Sequence, residues 1–455
     1  MVGNPSITHF KLVHQRYTPF AMHSSLQSST TPFAWGKDQS FLLAQNGDLL
    51  TGCTLQVELP TNQHWKPGAA LAIIKEVRLQ VNGQTLDRIS SEYIKIHDEL
   101  RTDAGKLDAL EISHGIGGSG KRQTCVIDVP FFFAKECGLA LPLISLQHRD
   151  VVIVVSYCTQ GEARNFIEAE VHTGVDFEGI ADGQLKSTSA MDLTPVMHEG
   201  QRMSFRHKTS DEVLDYIVQK AHLSSNTDGD TVIGYNLDAT EESTYSASFV
   251  RPSSTHPVDL PIVDLFCDVV YLSEPERQTF LQNSHEYLIE QHQRYEITVP
   301  QGTSNEMVVS LPFHHAVKEM LMVSAPTAQD PHTAFGFDAC GKGILLHDRS
   351  SNEPNTLAFR INGNKLQKER GEEYYTQLSA KHYHTRISST PIYVISLCLH
   401  PESHQPSGAV SFNTSDTAEL LFKFSNPVRE TYSLHVHAVN YNVLKLIAGN
   451  LKLSY

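Results

Sequence analysis

The stretch Glu76-Val77-Arg78-Leu79-Gln80-Val81-Asn82-Gly83 restricts the fold more than any other in this 455-residue chain. Apolar and polar residues alternate strictly as far as Val81. That period puts Val77, Leu79 and Val81 on one face of an extended strand and the polar side chains on the other. Asn-Gly follows at once, and it tolerates the successive positive φ angles of a two-residue hairpin turn. The device recurs 280 positions later, where Thr356-Leu357-Ala358-Phe359-Arg360-Ile361 runs into Asn362-Gly363. Leu366 repeats Leu86, and Lys368 repeats Arg88. The chain is longer than the ~250–300 residues at which one core stops growing, so the repeat predicts two related β domains in tandem.

Further strands are predicted at Leu55–Leu59, Val151–Val155, Leu420–Phe424 and Leu434–Val439. The unbroken valine-rich run is the pattern of a strand buried on both faces. Short strands separated by turn formers, with 27 Gly and 21 Pro in the chain, point to a sandwich or barrel. Helices are few. Ser273-Glu274-Pro275-Glu276 is a capping box that opens a short helix through Phe280 and Leu281. A second helix is predicted from Ser210, on the stripe Val213, Leu214, Ile217, Val218 and Ala221. It falls in the polar, strand-poor stretch from Gly161 to Pro257, which reads as a connector or insertion.

The formal net charge of -15 makes the body of the protein repel a phosphate backbone, which argues against direct nucleic-acid binding. Seven cysteines without a C-x-x-C pair favour free thiols over a disulfide framework or a zinc site. The N-terminal residues carry no apolar run of signal-peptide type, and Val2 stands where myristoylation needs glycine. The most apolar region, Cys125–Leu146, is interrupted by Asp128, Pro130, Lys135, Glu136 and Pro142, and the expectation is a soluble chain.

The catalytic motifs fail one by one. Gly115-Ile116-Gly117-Gly118-Ser119-Gly120-Lys121 has the spacing of a phosphate loop, but Arg122 replaces the hydroxyl that holds magnesium. The β-branched run after it ends at Pro130, where the loop needs a helix, so the expectation is a mobile inter-strand loop. The pairs His382/His384 and His435/His437 could each present two rings on one strand face, as in a metal-binding jelly roll, but no carboxylate follows in either run. These histidines are expected at the surface, as hydrogen-bonding residues. His285-Glu286 starts an H-E-x-x-H motif that Ile289 breaks. Glu372-Glu373 reads as a solvated face, and Asn413-Thr414-Ser415 as a turn. No catalytic, cofactor-binding or metal-ligating residue is assigned.

From Pro130 onward a family pattern emerges. Pro130-Phe131-Phe132-Phe133 precedes Gly138-Leu139-Ala140-Leu141-Pro142-Leu143-Ile144-Ser145-Leu146-Gln147-His148 and Asp150-Val151. Later come Tyr271-Leu272-Ser273 with Glu276-Arg277, Phe280 and His285–Gln291. Leu311-Pro312-Phe313-His314-His315-Ala316-Val317-Lys318-Glu319 follows, then Ile361-Asn362-Gly363, Pro406-Ser407-Gly408 with Asn413 and Ser415, and Tyr441-Asn442-Val443-Leu444 with Gly449. In this order, over about 320 residues, the blocks resemble the major capsid proteins of nucleocytoplasmic large double-stranded DNA viruses. Two features depart from the family: the stretch of about 100 residues from Gly161 to Pro257, and Asn450 where a methionine is common.

The resemblance implies an all-β fold of two tandem eight-stranded antiparallel jelly rolls with few short helices. The N-terminal roll is expected within residues 1–257, with its core at about 20–160 and the insertion at 161–257; the C-terminal roll is expected at 258–455. It further implies a non-enzymatic major capsid protein without cofactor, which trimerises into pseudo-hexagonal capsomers of an icosahedral shell. Minor capsid proteins, cement proteins and an internal viral membrane are the implied partners, and the host cytoplasm is the implied place of assembly. A minor or penton capsid protein, or a metal-dependent jelly-roll enzyme, is the alternative.

Overall fold

The computed structural model describes residues 18–60, 65–66, 68–115, 124–146, 149–166, 259–326, 355–388, 390–412, 417–428, 431–447 and 449–454, together with strands between 170 and 251. The chain divides into two compact units, one of residues 1–61, 66–163 and 259–455 and one of residues 62–65 and 164–258.

Among the described residues of the larger unit, sixteen strands make up the main paths of four sheets, in two sets of eight, with the short strands Leu141–Pro142, Val410–Phe412 and Asn450–Leu453 paired beside them. The first set is β1 (Phe20–Gln27), β2 (Asp38–Leu42), β3 (Leu49–Glu58), β4 (Ile74–Val81), β5 (Gln84–Ser90), β6 (Thr124–Asp128), β7 (Val151–Tyr157) and β8 (Ile262–Leu272). The second is β9 (His285–Val299), β10 (Asn305–Ser310), β11 (His315–Pro326), β12 (Thr356–Ile361), β13 (Asn364–Arg370), β14 (Tyr393–Ser396), β15 (Ala418–Phe424) and β16 (Tyr432–Ile447). The first set forms sheets of order β1-β8-β3-β6 and β2-β7-β4-β5; the second forms β9-β16-β11-β14 and β10-β15-β12-β13. Adding eight to each label of the first roll gives the second. Each is an antiparallel eight-stranded jelly roll.

The predicted repeat is the hairpin between the fourth and fifth strands of each roll. Asn82 and Gly83 have φ of 50° and 81°, and Asn362 and Gly363 have 50° and 77°. A Cβ added at Gly83 or Gly363 would meet no atom within 4 Å. Gly83→Ala and Gly363→Ala are therefore expected to cost only the left-handed backbone penalty, about 1–2 kcal/mol each. Thermal melts of the two variants check this, and equal losses would confirm that the turns are equivalent.

Alternation becomes burial as expected. Val77, Leu79 and Val81 face the first core, and Ile153, Val154 and Val155 of β7 are all buried. In the second roll Met320, Met322 and Val436 of one sheet meet Leu357, Phe359, Leu420 and Phe422 of the other. Every methyl and ring in that layer is removed from water from both sides, which is the main stabilising term of a sandwich.

Three expectations are corrected. Strand β8 pairs with β1 and β3, and Val263, Leu265, Cys267 and Val269 point into the first core. The first roll thus takes its last strand from beyond residue 258, and the division between rolls falls later than the sequence reading placed it. Second, the stretch expected to be poor in strands carries a seven-stranded sheet, and the residues expected to start a helix form the strand Val213–Ile217, paired with Arg202–His207. A lone short helix is marginal in water, whereas Val213, Tyr216 and Ile217 suit a strand that a neighbour can hydrogen-bond. Third, an unpredicted helix, α1 (Ser91–Arg101), follows β5. The helix predicted after Ser273 is present as α2 (Glu274–Gln282), with proline at its first turn and the Ser273 hydroxyl bonded to Glu276.

Strand β6 begins at Thr124, and Gly115, at φ +73°, follows the short helix Leu107–Ser113 and its cap His114. Residues 116–123, with Lys121 and Arg122, lie outside the described residues, as do Asn413, Thr414 and Ser415.

Candidate functional site

Among the described residues, the largest concentration of buried charge lies where the two rolls meet, and α1 supplies its first half. Ser90 caps the helix by accepting a hydrogen bond from the Tyr93 amide at 3.2 Å. Tyr93, Ile94, Ile96 and Leu100 anchor it on the first roll. This leaves Glu92, in the first turn, and Arg101, in the last, to face the second roll. The helix C-terminus is completed from the other roll: the Arg386 amide donates to the Leu100 carbonyl at 2.9 Å, and its guanidinium donates to the Glu99 carbonyl at 2.7 Å and to the Glu99 carboxylate at 2.6 Å. A guanidinium there satisfies open carbonyls and complements the helix dipole.

The second half comes from the outward face of the sheet β9-β16-β11-β14. Glu92 accepts from His435 Nδ1 at 2.9 Å, and Arg294 Nε lies 3.2 Å and His437 Nε2 3.3 Å from its other oxygen. Asp87 holds His292 Nδ1 at 3.0 Å. Deeper in, Glu290 pairs with Lys318 and, at 2.8 Å, with Lys135; Glu319 pairs with Arg101 at 3.0 Å and His384 at 3.4 Å. Glu402 takes the other ring nitrogen of His384 at 3.1 Å. Lys318 and Glu319 are completely buried.

Burial works against every one of these charges, and the partners decide the outcome. The Glu92 carboxyl, despite burial, is held well below the usual carboxylate range by His435, His437 and Arg294. Glu290 is held there by Lys135, Lys318 and Arg101. Glu319 is likewise brought down to about 2 by His384, Arg101 and Lys318. His384, although buried, is raised by Glu319 and Glu402. Carboxylates so compensated stay ionised at neutral pH, which suits structural ion pairs and not proton transfer.

The histidine expectation needs correction. His435 and His437 do share one strand face, but both are buried rather than at the surface, because the first roll covers that face. The carboxylate missing from the local sequence is Glu92, from the other roll. His382 and His384 do not share a strand; His382 lies in the helix Ser379–Tyr383, and His384 follows it. Among the described residues no group of three or more His, Cys, Asp or Glu side chains is arranged to hold a metal ion. An open cleft of about 390 Å³ runs along the seam, lined by Lys75, Arg88, Glu92, His292, Arg294 and His437.

Sequence reading missed Glu92, Glu290 and Glu319. The only local signal was for α1: Ser90 as a cap, Glu92 in the first turn, and apolar Tyr93, Ile94 and Leu100 at helical spacing.

Two like sandwiches in tandem, joined through a network of compensated ion pairs, define a double jelly-roll protein. Residues 8–193 match the family described as "Major capsid protein N-terminus", and residues 276–451 match "Large eukaryotic DNA virus major capsid protein". The chain belongs to the major capsid protein family of large eukaryotic DNA viruses. The major capsid protein of Pyramimonas orientalis virus is 25% identical over 489 residues, covering 100% of this chain and 95% of its own. That of Phaeocystis pouchetii virus is 25% identical over 519 residues, covering 100% and 96%. A solved chain of the PBCV-1 virus capsid shares the fold, with a TM-score of 0.67 at 19% identity over 98% of this chain and 100% of its own. The protein is a structural component of a viral capsid and not an enzyme.

Proposed function

We propose that three copies of the chain close around a threefold axis into a pseudo-hexagonal capsomer that tiles an icosahedral shell. The observation that carries this reading is a contact used once within the chain and left open at its two equivalents. In the first roll, β5 and α1 dock against β9 and the outward face of its sheet. Leu86 of β5 is only 2% exposed, whereas its repeat Leu366 on β13 is 52% exposed. Strand β1, the equivalent of β9, exposes Phe20, Met22 and Leu26, and Ile262 of β8 is exposed on the same outward face. Applying the intrachain docking again sets β13 of one copy against β1 of the next. Such a head-to-tail contact either closes or runs on, and six similar sandwiches from three chains close it. Uncovered apolar side chains on both surfaces supply the driving force.

In the same reading minor capsid and cement proteins join capsomers, an internal viral membrane lies beneath the shell, and assembly takes place in the host cytoplasm. The net charge of -15 supports the absence of direct contact with the genome. Native mass spectrometry tests the proposal: the expected species is about three times the 50.7 kDa chain. Met22→Lys, exposed and remote from the core, should shift it toward monomer with an unchanged melting profile of the fold. A stable wild-type monomer at micromolar concentration would overturn the proposal.

A further inference from the structure

The two buried thiols Cys53 and Cys267 sit directly opposite each other on the adjacent antiparallel strands β3 and β8, with their sulfurs 3.6 Å apart. The Cys53 carbonyl accepts from the Val129 amide at 3.0 Å, on the side of β6. In an antiparallel strand a residue's N–H and C=O point to the same neighbour, so Cys53 turns its backbone away from Cys267. The two form a non-hydrogen-bonded pair, the kind whose Cα atoms stand at about 4.5 Å and whose side chains lie closest. That spacing falls within the roughly 4.4–6.8 Å a disulfide spans. A small rotation of both side chains brings the sulfurs from contact to the bonded distance of about 2.0 Å.

We propose that Cys53 and Cys267 form a latent intrachain disulfide, made after folding when the particle passes from a reducing cell to oxidising surroundings. The oxidant is a small-molecule disulfide. One cysteine thiolate attacks it, forming a mixed disulfide and expelling one thiolate; the other cysteine then attacks the protein-bound sulfur and expels the second. Two S–H bonds are lost, one S–S bond forms, and the two protons leave on the two small-molecule thiols. The consequence is topological. The two cysteines are 214 positions apart, and the chain between them includes residues 164–258, so the bond ties down the strand that re-enters the first roll after that unit. Closing so long a loop restrains the unfolded chain strongly. Burial, with Cys267 beside it, pushes the Cys53 thiol well up, so the pair reacts slowly while the roll is closed. The geometry stands independently of the oligomer proposed above.

The test uses the full chain, incubated folded with oxidised glutathione and, separately, refolded in it. Peptide mapping without reductant should find Cys53 and Cys267 joined, with a mass loss of two hydrogens, and the melting midpoint should rise by several degrees and fall back on reduction. Cys53→Ala and Cys267→Ala should each abolish the shift. Free thiols at both positions in both preparations of the unmutated chain would overturn the proposal, whether or not the variants fold.

Discussion

Glu319→Ala is expected to lower the stability of the larger unit by about 3–5 kcal/mol, the cost of removing one partner of a buried ion pair. The size follows from what remains. Arg101 and Lys318 would stay buried with one carboxylate fewer between them, and His384 would keep only Glu402. Denaturant unfolding at neutral pH measures the loss. Two controls give it meaning. The double variant Arg101→Met with Glu319→Leu should recover most of the loss, because it removes both charges rather than stranding one. Lys365→Ala, which breaks a surface pair whose members are 41% and 45% exposed, should leave the midpoint unchanged. If Glu319→Ala behaved like Lys365→Ala, the seam would not be what holds the rolls together.

The second large effect is acid unfolding. Glu92, Glu290 and Glu319 all have folded values below the ordinary 4.5. A depressed carboxyl stabilises the fold above its unfolded value and loses that contribution as pH falls through its folded value. For Glu319 the window runs from 4.5 to about 2 and is worth about 3 kcal/mol, at ~1.4 kcal/mol per unit. His114, lowered by burial from 6.5 to about 4, begins the loss earlier, because it must be buried neutral. Two groups act oppositely. Burial raises Asp98 from 3.8 to about 8, and His384 is raised above 6.5; both favour the fold when protonated and lose that contribution as pH rises. Asp98 loses its contribution from about pH 4 upward while His114 regains its own up to 6.5, so the two offset each other. Stability should therefore be broadly level between about pH 4.5 and 6.5, fall from there toward pH 8 as Asp98 and His384 lose their protons, and fall steeply below pH 4.5. Thermal melts across pH check the shape, and Glu319→Gln should flatten the steep acid limb. An acid limb of unchanged slope in that variant would contradict the assignment.

The sequence was legible where each residue answers to its own neighbours. Val77, Leu79 and Val81 alternate because one sheet face meets one core, and Asn82-Gly83 turns because its own backbone permits it. Legibility ended where a residue answers to a distant one. Leu434-His435-Val436-His437 reads as a strand with one wet face, but α1 and the first roll cover that face, so the polar phase of the alternation is as dry as the apolar one. Nothing within a few residues of His435 announces Glu92, which is 343 positions away. The boundary between rolls failed for the same reason: β8 is separated from its partners β1 and β3 by the 164–258 unit, and pairing across such a gap leaves no local trace.

In the proposed capsomer the docking seen between the two rolls of one chain is repeated between chains until six rolls close a ring. Cryo-electron microscopy of the purified oligomer tests it most directly. The expected particle is a six-lobed ring with threefold symmetry, β13 of each chain against β1 of the next, and the side chains of Met22, Leu26 and Leu366 buried at that contact. A particle of any other symmetry, or a trimer that leaves β1 and β13 facing solvent, would contradict it.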